Sequence, residues 1–142
     1  EISIIAILAA CISALVRMNG GFKWTLDSVQ GRVGGYKGGQ FGIGALVLMM
    51  DFATANNTIA IVLAAPLAKQ IAETFKISAK RSASLLDIFS SVGQGLIPYG
   101  AQLLSAAALT GLTPLVIMPY LYYPILMLVC VVAYILMSKE GE

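Results

Sequence analysis

Two asparagines flanked by threonines sit in the middle of a long apolar run, and no other feature of this chain limits its folding as much. Thr54, Asn56, Asn57 and Thr58 interrupt the stretch from Gly38 to Ala68. In hydrocarbon, an amide or hydroxyl without a partner costs several kcal/mol. Such a cluster therefore faces a cavity, a bound ion or another helix.

Composition places the run in hydrocarbon. The chain is 58% hydrophobic and 11% charged, with a mean hydropathy of +0.86. That is more apolar surface than a 142-residue soluble core could bury, so an all-α integral membrane protein is expected. A net charge of +2 carried in short loops argues against nucleic acid as a partner. Cys11 and Cys130 both lie in apolar runs, where a thiol behaves as a small hydrophobe. No disulfide and, in the absence of His, no His/Cys metal site is expected. The chain opens on Glu1 and an apolar run with no basic n-region, which reads as a piece of a longer protein and not as a signal peptide.

Lengths divide the chain into three regions. Residues 1–37 read as a transmembrane helix, Ile2 to Val16, followed by an amphipathic segment, 22–33. There Phe22, Leu26, Val29 and Val33 recur at helical spacing beside Trp24. It suits an interfacial helix, with a solvated loop as the alternative. Residues 38–81 hold the Gly38–Ala68 run, roughly 46 Å long as one helix: too long for one span and too short for two. Basic residues decide its shape. Arg17, Lys23, Arg32 and Lys37 precede it, and Lys69, Lys76, Lys80 and Arg81 follow it. A spanning helix would split these between two faces, against the positive-inside rule, whereas a re-entrant hairpin folded at Asn56-Asn57 keeps both cytoplasmic.

Residues 82–142 begin with another overlong stretch, 82–110, of roughly 43 Å. Gly93, Gly95, Pro98 and Gly100 mark a break within it, which a membrane tolerates only where protein or water surrounds it. An uncharged turn, Gly111 to Pro114, then leads into a last span, Leu115 to Met137, ending at Lys139. On this layout loops 17–37 and 69–81 and the C-terminus are cytoplasmic.

Paired helix breaks near the midplane are the best sequence pointer to a transporter's site. At the first, Thr54, Asn56, Asn57 and Thr58 offer neutral oxygens to a small hard cation, while the start of the second arm exposes N–H groups. At the second, Gln94, Gly95, Pro98, Gly100 and Gln102 surround freed carbonyls, with Tyr99 as a substrate-lining candidate. The bland reading is that these amides only join helices. Two carboxyls lie within the apolar runs, and burial disfavours a charged carboxylate, so either is a candidate proton carrier. Asp87 stands first, on a face formed by Ser84, Asp87, Ser91, Gln94 and Pro98, unless it merely pairs with Lys80 or Arg81. Asp51 stands second, unless it hydrogen-bonds across the hairpin. The string GRVGGYKGGQ lacks the ending of a phosphate-cradling loop, and its glycines suit close packing. Tyr120, Tyr122 and Tyr123 suit an aromatic belt or a pore lining.

At these residues the chain resembles a known family. TANNTIAIVLAAPLAKQIAE (54–73), RSASLLDIFSSVGQGLIPYGAQLL (81–104) and YYP (122–124) look like the C-terminal half of the NhaC-type sodium/proton antiporters, within the ion transporter superfamily, over about two thirds of the chain. More distantly, Asn56-Asn57-Thr58 is similar to the Ser-Asn-Thr tip motif of the sodium/dicarboxylate symporters, with Asn in place of Ser. The resemblance implies that Asn57 and Thr58 are ion-site residues and that Leu96 to Gly100 form the partner break. It further implies a transporter of two inverted repeats, commonly a homodimer with an elevator motion, of which this chain is one repeat and lacks its N-terminal partner.

The expectation is a multi-pass secondary transporter of the inner membrane exchanging sodium for protons, with no cofactor and no metal beyond the transported sodium. Its rival is a sodium- or proton-coupled carrier of an organic anion or amino acid, and a non-transport membrane scaffold is the alternative of another class. Without His, a metal-ligand cluster or a nucleophile-base pair, an enzyme is not expected.

Overall fold

The apolar run folds back on itself at Ala55. In the computed structural model, which describes residues 34–138 together with Leu15, Met18 and Asn19, helix α1 (Gly35–Thr54) ends where Ala55 takes a left-handed conformation, φ 48°. Its N–H closes the helix on the Asp51 carbonyl at 2.7 Å. Asn56 then starts α2 (Asn57–Thr74) as its N-cap, its side chain accepting from the Ile59 N–H at 3.2 Å. The two helices run antiparallel, since Gly39 near the start of α1 lies against Phe75 just past the end of α2. The arms are nearly equal, 20 and 18 residues, and not unequal as the apolar run alone implies. The physical reason is that α2 outlasts that run: Ile71 and Ala72 stay buried while Lys69 and Glu73 face outward, so the helical periodicity continues through the charges.

After a turn in which Lys76 also takes a positive φ of 55°, Ser78 caps α3 (Ala79–Leu96), accepting from the Arg81 N–H. Helix α3 lies beside α1 in the same direction, and α1, α2 and α3 pack mutually. Their shared core holds Ile43, Leu46 and Val47 of α1, Ala60, Ala64, Ala68 and Ile71 of α2, and Leu85 and Phe89 of α3. The alanine row at every fourth position keeps α2 thin enough for close approach. On α1, Gly44 serves the same end, because a Cβ there would stand 2.6 Å from the Phe89 ring.

The chain breaks again after α3. Ile97–Gly100 are non-helical, and helix α4 (Ala101–Thr110) follows, closed by Gly111 at φ 70°. The expected single span from Leu115 to Met137 is divided. A short α5 (Pro114–Ile117) passes into a 3-10 turn (Met118–Tyr120), and α6 (Tyr122–Met137) starts only after Leu121 leaves helical geometry. Pro119 and Pro124 bracket that kink; each lacks the N–H that a continuous helix would need. Helix α6 returns antiparallel to α3, with Pro124 against Gly95 at one end and Tyr134 against Arg81 at the other.

Every element among the described residues is helical, so the fold is all-α. No single described helix is long and apolar enough to cross a membrane; one bent pair, Ala79–Thr110 with Pro114–Tyr120 at 96°, passes that test by length and composition. The expected first span, apart from Leu15, the interfacial helix 22–33, and Cys11, Arg17, Lys23, Arg32 and Lys139 lie outside the described residues.

Candidate functional site

Both interruptions fall at the same end of the bundle, and Asp51 lies between them. It is the last inward-facing position of α1 and is fully buried. Across from it is Gly93, where an added Cβ would stand 2.5 Å from Asp51 Oδ2 and 3.0 Å from Leu48 Cδ2. The carboxyl thus occupies the space that a side chain at position 93 would take. The Gln94 backbone amide approaches it but points along α3, as a helical N–H must. Neither carboxylate oxygen receives a hydrogen bond in bonding geometry.

More acceptors without donors surround this carboxyl's end of the bundle. Asn57, half-buried at the first position of α2, has its Oδ1 buried and without a donor. Pro98 has no N–H to offer the Gln94 carbonyl, its helical partner four residues back, whereas the Ile97 carbonyl accepts from the Gly100 N–H at 3.0 Å. Tyr99, exposed, reaches from the break to the hairpin and donates its hydroxyl to the Phe52 carbonyl at 2.7 Å. The Asp51 carboxyl, Asn57 Oδ1 and the Gln94 carbonyl are thus oxygens without a donor at one end of the bundle, an arrangement suited to a cation or a proton.

The other nominated residues have different surroundings. Thr54 Oγ1 lies 2.9 Å from the Met50 carbonyl and 3.3 Å from the Asn56 carbonyl; its one proton serves one at a time. Asn56 spends its side-chain oxygen on capping, and Thr58 is exposed. Gly95 and Gln102 border a separate, mainly apolar cavity of about 250 Å³ with Leu103, Tyr123 and Pro124. Asp87 is exposed on α3, almost two turns below Gly93, and only its backbone carbonyl is engaged, by the Ser90 hydroxyl at 3.0 Å. Among the described residues the ion pair is Lys69 with Glu73, and Asp87 does not meet Lys80. Of the two carboxyls, it is Asp51 that the fold buries where the breaks meet.

Two features escaped the sequence reading. Gly93 was legible as part of the break, but its role as the seat of Asp51 depends on two helices placed side by side. Arg81 reads in sequence as a loop cation, yet it is buried at the opposite end, its Nη1 donating to the Tyr36 hydroxyl at 2.8 Å and its guanidinium 4.7 Å from the Tyr134 ring centroid. No local pattern announces partners so far apart in the chain. No family model, characterised protein or solved structure matches the chain.

Proposed function

We propose that this chain is one repeat of a secondary transporter of the cytoplasmic membrane that exchanges sodium for protons. The observation that carries the reading is the buried, unpaired Asp51 carboxyl between two interrupted helices. A charge so placed is stable only with a bound counter-ion or a proton, and alternation between the two is what exchange requires. Asn57 Oδ1 and the Gln94 carbonyl are the neutral oxygens available to the same ion.

The membrane half of the proposal has separate support. Leu109, Leu115, Tyr122, Tyr123, Leu126 and Val129 are all exposed, and exposed large apolar side chains in such number suit contact with lipid or another protein. Lys37, Lys80 and Arg81 share one end, while the hairpin tip is uncharged, as expected of an arm pair that enters and leaves on the positive side. The missing repeat and a second protomer are proposed to cover part of that apolar face.

The test is cation-dependent proton flux by the full-length protein in proteoliposomes. Asp51→Asn and Asn57→Ala should abolish or strongly reduce it while Asp87→Asn retains it. Full flux in Asp51→Asn would refute the assignment. The rival, a coupled carrier of a small organic anion or amino acid, draws on the 250 Å³ cavity at Gly95 and Gln102. Sodium-driven uptake of such a solute, lost in Gln102→Leu, would favour it.

A further inference from the structure

The end of the bundle away from Asp51 gathers cations around a second cavity. Lys80 and Arg81 stand in the first turn of α3, and Lys37, in the first turn of α1, donates its Nζ to the Leu136 carbonyl at the end of α6. The cavity, of about 240 Å³, is lined by Ser78, Lys80, Arg81, Ser84 and Leu85 at the start of α3 on one wall and by Tyr134 of α6 on the other. Arg81 is held in place there: it is buried, hydrogen-bonded to Tyr36 and stacked on Tyr134, so its planar cation is oriented before any ligand arrives. Lys80 is exposed at the rim, and it joins no ion pair among the described residues. The described lining carries the two cations Lys80 and Arg81.

The second wall continues out of the cavity. Tyr134, Cys130 and Leu126 are each exposed and lie four residues apart on α6, forming a row about 12 Å long that starts at the basic cavity. A charged recess opening onto an apolar row matches an amphiphile with a phosphate at one end. We propose that this cavity binds the phosphate headgroup of an anionic phospholipid, with an acyl chain lying along Tyr134, Cys130 and Leu126. The proposal rests on the membrane half of the proposed function and is independent of the ion transported.

The experiment uses the purified full-length protein in a neutral detergent and follows thermal unfolding and lipid retention, with no ion gradient. Dioctanoyl phosphatidylglycerol should stabilise the protein and be retained, and dioctanoyl phosphatidylcholine should not. Lys80→Gln should weaken the phosphatidylglycerol effect about fivefold, the factor one Lys contributes at an anionic surface, while Lys69→Gln, on α2, leaves it unchanged. Tyr134→Ala should reduce retention of the lipid. Equal effects of the two lipids, or an unchanged response in Lys80→Gln, would overturn the site. Equal stabilisation by inorganic phosphate at the same concentration would overturn the lipid assignment by showing that the apolar row contributes nothing. A transport assay that fails while phosphatidylglycerol selectivity persists would count against the exchange reading alone.

Discussion

Adding one methyl group at Gly93 tests the seat of Asp51 by the sign of its effect. In an ordinary helix interior, Gly→Ala stabilises by about 0.8–1.0 kcal/mol, because alanine loses less backbone freedom on folding. Here the new Cβ would lie 2.5 Å from Asp51 Oδ2, about 0.9 Å inside the 3.4 Å at which ordinary contact begins, with Leu48 Cδ2 at 3.0 Å closing the other side. Overpacking of that kind costs about 1–3 kcal/mol, so Gly93→Ala should be neutral to destabilising, by up to about 2 kcal/mol. Removing the carboxyl should reverse the sign: in an Asp51→Ala background the 2.5 Å clash is gone and the Leu48 methyl at 3.0 Å has vacated space to shift into, so Gly93→Ala should stabilise by up to about 1 kcal/mol. The double-mutant cycle should therefore give a coupling of about 1–3 kcal/mol, large for a single pair. Reversible unfolding of the four variants of the full-length protein in mixed micelles measures it. Stabilisation of about 1 kcal/mol by Gly93→Ala with Asp51 present would show that the carboxyl is not packed against this glycine.

Three further substitutions probe the two breaks, each read by the same unfolding measurement. Ala55→Gly should stabilise by about 1 kcal/mol, since the left-handed turn penalises any Cβ; destabilisation would mean that the chain does not turn there. Asn56→Ala should cost about 1 kcal/mol through loss of the α2 cap, and Asn56→Ser should restore most of it. Tyr99→Phe should cost about 0.5–1.5 kcal/mol by deleting the hydroxyl that holds the break to the Phe52 carbonyl, and an unchanged stability would show that this link contributes nothing.

Where the helices stop was legible in the residues themselves. Asn56 and Asn57 interrupt an apolar run, and Pro98 between glycines interrupts another; both stops are local consequences of capping chemistry and of a missing N–H. Apolar length alone predicts one helix from Leu115 to Met137, whereas Pro119 and Pro124, each lacking an N–H, divide it at Leu121. The charges after Ala68 predict a loop, yet α2 runs on to Thr74, because exposed Lys69 and Glu73 ride on a helix whose other face remains buried.

The sequence by itself determined that the chain is helical, that it folds back within a residue or two of Asn56-Asn57 and that it breaks before Gly100, since these depend on neighbours within about one turn; the left-handed residue that makes the turn, Ala55, carries no such signal. Only the tertiary structure decided which carboxyl is buried. Asp51 and Asp87 are both lone acids in apolar sequence, and periodicity favoured Asp87 by giving it polar neighbours on its own helix. Burial is set by what another helix presents, and α3 presents Gly93 to Asp51 while leaving Asp87 outside. The same holds for Arg81, whose environment is made by Tyr36 and Tyr134 from two other helices. Contacts between helices depend on packing geometry across the whole bundle, which no window of sequence contains.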